Sequence, residues 1–274
     1  MEKPQNMKEA LKSDLTKKEL SFLPKSFDLI GSIAIFSEFP KELEKKEKVI
    51  AQALINIHPN IKTVAKKTKT HSGIYRLKKV KILAGKKSKE TLHKESNVLL
   101  KLNIETCYFS PRSSNERLRI ASLIKKNESV LVMFSGIAVF PLVISKNSKA
   151  KEIYAVEINP VCHKYAEENI KLNKVSNIKL YEGDVNKILP KINKKFDRIL
   201  MPLPKDAYSF LPLALKKIKH NGIIHLYDFA NKNEIEQISY SRIKGLPVKI
   251  IKTVKCGQYS PHVFRICFDL KLSK

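Results

Sequence analysis

The 274-residue sequence predicts an α/β protein: an open parallel sheet with helices on both faces, preceded by a small α+β domain. Three observations carry this reading. From residue 129 onward, apolar runs of strand length alternate with stretches of helix length, the β-then-α order that builds a parallel sheet. Before residue 107 the rhythm is shorter and less regular, with one helical stretch among several brief strands. At the C-terminus two strand-like runs have no long helix between them, which predicts an antiparallel hairpin at one sheet edge.

The elements follow in order. Residues 1–19 are polar and Lys-rich and are expected to be a loose lead-in. Residues 20–107 form the small α+β domain. Within it FDLIGSIAIF (27–36) reads as a buried strand carrying one turn glycine. Residues 41–57 alternate charge and apolarity at helical spacing, with Pro40 placed for the first helical position. Short strands are expected at 61–64, 80–83, 97–102 and 105–109. The last ends before Pro111, so the second domain is taken as 108–274. Its strands are expected at 129–134, 152–158, 178–181, 196–201 and 222–229. Helices are expected at 137–146, 160–172, 205–218 and 231–243, and the terminal strands at 248–255 and 263–270.

Charge points to the partner. Lys and Arg total 53 against 26 Asp and Glu, a net charge of +27 and a pI near 9.8, which favours a polyanion, most often nucleic acid. A general Lys bias, such as accompanies life at high temperature, is the competing explanation. Between His58 and Lys89 there are eleven Lys or Arg residues and no acidic one. Lys66, Lys67 and Lys69 are therefore expected to meet phosphates, which supply affinity and position. Arg is scarce, and three of the seven fall together at Arg112, Arg117 and Arg119. Arg suits bidentate contact with phosphate or a base edge.

Other classes are set aside. No apolar run approaches the roughly 18–20 residues of a membrane span. The segment MEKPQNMKEALKSDL lacks the apolar core of a secretory signal. The four cysteines show no CxxC pair and the seven histidines no HxxxH spacing, so no metal and no disulfide scaffold is expected, and a reduced cytoplasm is the expected compartment. Neither a Walker loop nor GxSxG occurs.

Candidate chemistry sits at the carboxyl ends of the strands, where open α/β sheets bind ligands. The first turn, VLVMFSGIAVF (130–140), keeps Gly136 but has Ala138 in place of a second glycine. AVEINP places Glu157 where a carboxylate can accept both ribose hydroxyls of a nucleoside, or simply favour a helix N-terminus. GDV offers Asp184, either an adenine contact or a helix cap. DRILMPLPK carries Pro202 and Pro204 in a rigid turn, either purely structural or with carbonyls facing an acceptor base, with Lys205 following.

Together these stretches resemble the archaeal and eukaryotic tRNA methyltransferases that modify the purine at tRNA position 37. The likeness covers FDLIGSIAI, HPNIKTVAKKT, GIYRLKKVKILAGKKSKETLHKES, CYFSPRSSNERLRIA, AVEINPVCHKYAEENIKLNKV, GDV, MPLPKDAYSFLPLAL, NGIIHLYDF and YSPHVFRICFDLKL, about 250 residues in order. The resemblance implies a class I Rossmann-like methyltransferase domain preceded by a small α+β RNA-binding domain. It implies S-adenosylmethionine as cofactor, held by Phe134, Gly136, Glu157, Asp184 and Pro202. It also implies phenylalanine tRNA, through its anticodon loop, as partner. Arg112, Glu157 and Pro202 are the implied catalytic residues, with Glu157 either ribose ligand or proton acceptor. Arg112, Arg117, Lys66, Lys67, Lys69 and Lys205 are expected to contact RNA. A monomer is expected, without the N-terminal domain by which larger members grip the tRNA elbow.

Two departures from the family pattern matter. Its first motif usually reads DxFxGxG, whereas here Val132 and Ala138 replace the Asp and the second Gly. Its fourth motif begins with Asn in guanine-nitrogen-1 enzymes, whereas here Pro202 stands in that place and offers no side-chain donor. A proline there resembles a wyosine-biosynthesis branch that methylates carbon 7 of 4-demethylwyosine. Guanine-nitrogen-1 methylation, aminocarboxypropyl transfer to the same tricyclic base, and a non-catalytic RNA-binding module are the alternatives.

Overall fold

A computed structural model describes residues 6–68, 77, 79–203 and 206–273. It divides the chain into two units, one of residues 1–94 and 100–111, the other of 95–99 and 112–274.

The first unit begins with α1 (Met7–Ala10) and α2 (Lys17–Ser21), the latter started by a capping box between Thr16 and Glu19. The expectation of a loose lead-in fails here. Leu11 and Leu15 are buried against Leu43, Ile50 and Ala53, so two apolar side chains among many lysines suffice to anchor the segment. Strands β1 (Asp28–Ile30) and β2 (Ile33–Phe36) form an antiparallel hairpin. The sequence reading made 27–36 one strand. The chain instead turns at Gly31, whose φ is +56° and where a Cβ would lie 2.3 Å from Thr91 Oγ1. After a 3-10 turn at Lys41–Lys46 comes α3 (Glu47–Ile57), then β3 (Thr63–Lys67) and β4 (Val80–Gly85). The sheet order is β1-β2-β3-β4. A separate hairpin joins β5 (Glu90–Glu95) to β6 (Val98–Asn103). Sequence reasoning missed β5 because ETLHKE buries Thr91 and Glu95 while its one leucine, Leu92, is exposed. Residues 105–109, expected as a strand, instead leave a turn at Thr106 and continue as irregular chain.

The second unit opens with α4 (Ser114–Leu123), a helix that buries Glu116 and Arg117 and so carries no apolar stripe to read. Then follow β7 (Ser129–Met133), α5 (Val139–Asn147), β8 (Glu152–Glu157), α6 (Pro160–Asn173), β9 (Ile178–Glu182) and α7 (Val185–Ile188). The chain continues through β10 (Phe196–Met201), a 3-10 turn at Ala207–Phe210, α8 (Leu211–Lys217) and β11 (Ile218–Asn231). It ends with α9 (Ile235–Ile243), β12 (Val248–Ser260) and β13 (Val263–Leu272). The seven strands lie in the order β12-β13-β11-β10-β7-β8-β9. Those from β11 through β9 run parallel, and β13 is inserted antiparallel between β11 and β12. Strands β7 and β8 are buried along nearly their whole length, as covered parallel strands are. The carboxyl ends of β7, β8, β9 and β10 thus converge on one edge. No helix among the described residues is long and apolar enough to cross a membrane.

Candidate active site

The turn after β7 is built from positive torsions. Phe134, Gly136 and Ala138 have φ of +58°, +59° and +65°. Glycine takes such a backbone without penalty, whereas Ala138 takes it at a cost of about 1–2 kcal/mol. Ala138 therefore leaves the geometry of the turn intact. The turn is tied down by Ser135 N–H donating to Val156 O at 2.9 Å and by Gly136 N–H donating to Glu157 Oε2 at 2.6 Å. The Phe134 ring packs edge-on against Phe210 at 5.0 Å.

Glu157 ends β8 and is 9% exposed. Its second oxygen accepts from Asn159 N–H at 2.8 Å. Burial raises its pKa above the ordinary carboxylate value, and the backbone donors at Asn159 and Gly136 oppose that shift in part. Asn159 caps α6, accepting from Val161 N–H at 3.0 Å.

Asp184 sits beyond β9 and caps α7 by accepting from Asn186 N–H at 2.8 Å. Beyond β10, Leu203 N–H donates to Met201 O at 2.9 Å, closing a three-residue turn on Pro202. Of the carbonyls expected to face the acceptor base, Met201 O accepts this hydrogen bond within the turn. Pro204 and Lys205 lie outside the described residues. Arg242, on α9, donates to Asp228 at 2.6 Å and stacks its guanidinium 3.8 Å from the Tyr208 ring centre. These groups, which the sequence does not reveal, brace the 3-10 turn at Ala207–Phe210.

Ser135 Oγ is buried and has no hydrogen-bond partner. An orphaned hydroxyl in the first turn, beside a glycine and a buried carboxylate, fits a polar ligand at that place. The donor set fits a nucleoside-bearing cofactor.

The expected RNA contacts fare unevenly. Arg112, in the turn before α4, is exposed. Arg117 is not an RNA contact: it is 3% exposed and pairs through two 2.6 Å bonds with Glu95, which fixes its charge inside the unit. In the first unit, Lys66 is also withdrawn from the surface, with Glu47 at 2.7 Å and Glu44 at 3.4 Å. Lys67 donates to Ser37 Oγ at 2.9 Å, and Lys69 lies outside the described residues. The acidic partners come from α3 and the turn before it, too far off in sequence for the local run to reveal. Lys79, Lys86 and Lys87 of the same basic run are exposed.

Mid-sheet, under α4, lies a buried polar network. His225 Nδ1 donates to Asp269 Oδ1 at 2.6 Å, and Arg198 Nη1 lies 2.7 Å from Nε2. Arg cannot accept or lose its proton, so Nε2 is the acceptor and the imidazole is neutral, in keeping with a pKa lowered by burial. Asp269 also takes Arg119, which pairs with Glu116. His225, Cys267 and Asp269 place their donor atoms within 4.8 Å of one another, but the guanidinium groups of Arg119 and Arg198 already supply the positive charge there.

Strand order and cofactor-edge residues define a class I methyltransferase. The TRM5/TYW2 methyltransferase domain model matches residues 91–254, and the TYW2 N-terminal domain model matches 7–88. The chain is 38% identical over 258 residues to a Pyrococcus abyssi protein named tRNA (guanine(37)-N(1))-methyltransferase Trm5b, spanning 92% of this chain and 76% of that one. It is 31% identical over 255 residues to a Saccharolobus solfataricus protein named tRNA 4-demethylwyosine(37)-methyltransferase Taw21, spanning 90% and 94%. A crystal structure of Pyrococcus horikoshii TYW2 in complex with MeSAdo superposes with a TM-score of 0.82 at 28% identity, covering 98% of each chain. The chain belongs to the TRM5/TYW2 methyltransferase family. It is an S-adenosylmethionine-dependent tRNA methyltransferase.

Proposed function

We propose that the enzyme methylates carbon 7 of 4-demethylwyosine at position 37 of phenylalanine tRNA. The observation that carries this reading is Pro202. At the end of β10, where the acceptor base would lie, the chain presents a proline closed by its own turn and no side-chain amide. A guanine ring held for attack at nitrogen 1 needs polar groups at its edge while a proton leaves. A tricyclic base can be held by stacking and shape.

Phe134, Ser135 and Gly136 in the first turn are assigned to the cofactor, with Glu157 assigned to its ribose and Asp184 to its adenine. When bound, the sulfonium supplies an activated methyl group. The protein's part is to orient two reactants and exclude water. Arg112 is assigned to the base or its phosphate. The first unit, with Lys67, Lys79, Lys86 and Lys87, is assigned to tRNA phosphates, and Lys205 to the acceptor side.

A second reading, guanine-nitrogen-1 methylation, is favoured by the 38% identity to a relative of that name. Mass analysis of nucleosides after incubation with tRNA bearing either guanosine or 4-demethylwyosine at position 37 decides between them. A methylated tricyclic base is the expected product. Methylguanosine alone would establish the second reading, and a product carrying the aminocarboxypropyl group would replace both.

A further inference from the structure

Strand β11 runs past the carboxyl edge of the sheet. Leu226 is level with Met201, the last residue of β10, so Phe229 stands three residues, about 10 Å, beyond it. Across the ladder Phe229 faces Arg265 of β13, and Arg265 faces Gly257 of β12. Directly opposed residues share a face of the sheet, so these three form one row. The Arg265 guanidinium lies 5.7 Å from the Phe229 ring centre, and its Nη1 donates to Ser113 Oγ at the start of α4. The Tyr259 ring, from the hairpin tip, packs at 4.6 Å and 43° against Phe229, yet Tyr259 is 61% exposed. A Cβ at Gly257 would meet nothing within 4 Å, so the space at the end of the row is open.

A half-exposed aromatic pair, an arginine within cation–π distance of it and an open space alongside is the chemistry that receives an unpaired nucleobase. The charge on this face is compatible with RNA: Lys252 on β12, which faces Asp269 on the same face as Arg265, is exposed, and Glu116 is taken up by Arg119 and Tyr227. Nothing in the transfer of a methyl group requires these residues. The geometry points to Phe229, Tyr259 and Arg265 as a stacking platform for one unpaired nucleotide flanking the modified base. It rests on the reading above that the substrate is the anticodon loop, and it acts in substrate binding, not in the choice of acceptor atom.

The chain has no tryptophan, so Tyr259→Trp introduces a single reporter. That variant is titrated with a synthetic anticodon stem-loop and with versions carrying an abasic site at each position flanking 37. Quenching by the intact loop, lost with one particular abasic version, is the expected result. Equal quenching by all versions would overturn the platform. In parallel, Tyr259→Ala should weaken stem-loop affinity by roughly ten- to a hundredfold, the worth of one stacked base, while Tyr259→Phe retains it. Gly257→Ile should weaken the same affinity by filling the open space, with thermal stability and S-adenosylmethionine affinity unchanged. Unaltered affinity in Tyr259→Ala and Gly257→Ile would again overturn the proposal. Product identity, measured separately by nucleoside mass, tests the reading of the reaction without touching this one.

Discussion

The turns after β7 and β10 both depart from the family pattern, and they differ in what the departure changes. After β7 the pattern's second glycine is Ala138, yet Ala138 sits at φ +65° and the turn keeps its bonds from Ser135 and Gly136 to the end of β8. Glycine's role there is conformational, and alanine can fill it at the cost of strain. After β10 the pattern's asparagine is Pro202. Its role would have been that of a side-chain donor and acceptor, and proline cannot fill that at any cost in strain. Backbone roles therefore tolerate substitution where side-chain roles do not. The first departure is expected to be silent in the chemistry and the second to redirect it.

The largest effect belongs to the group the first turn holds in place. Glu157→Ala should weaken S-adenosylmethionine binding by about 1.5–3 kcal/mol, the scale of charge-assisted hydrogen bonds, measured by calorimetry. Unchanged affinity with lost turnover would assign Glu157 to proton acceptance instead. The same carboxyl predicts a pH dependence. Its pKa is raised by burial, and the ionised form is the better acceptor for ribose hydroxyls. Cofactor affinity should therefore fall as pH drops through that raised value, above the usual carboxylate range. In Glu157→Gln this pH dependence should vanish.

Next in size is the second turn. Pro202→Asn should shift the product ratio from the tricyclic base toward guanosine by about tenfold, the worth of one or two hydrogen bonds. Nucleoside mass ratios on the two tRNA substrates measure it. An unchanged ratio would mean that acceptor choice lies elsewhere in the pocket.

The smallest effect sharpens the other side of the comparison. Ala138→Gly relieves the left-handed strain but adds chain entropy, so a net gain of about 0.5–1 kcal/mol, seen as a higher Tm, is expected. Cofactor affinity should stay as it is. A large gain in affinity would show that Ala138 had distorted the site after all.

Much of the molecule was legible in the residue order. Strand and helix alternation from residue 129 placed the central strands β7, β8 and β10, because strands covered on both faces read as continuous apolar runs. Gly136, Glu157 and Asp184 stand out in the sequence because each lies at or just beyond a strand end, and strand ends are visible in apolar runs, whereas Phe134 is marked only by the family resemblance. Two elements that bury polar groups where an apolar face is expected were not legible. The helix α4 hides Glu116 and Arg117, and β5 hides Thr91 and Glu95, so neither has the periodicity of an amphipathic element.

What a charge does is likewise decided in three dimensions. Lys66 and Arg117 read as RNA contacts in their local runs, yet each meets a carboxylate about twenty residues away, Glu47 and Glu95. Burying a charge unpaired costs several kcal/mol, so an arginine drawn into the interior must find such a partner, and only the folded chain determines which one. The sequence by itself determined the sheet, its carboxyl edge and the family. The tertiary structure alone decided which cations remain available at the surface, and that Phe229, Tyr259, Arg265 and the open space at Gly257 meet. Side chains from three strands come together only when the ladder sets their register.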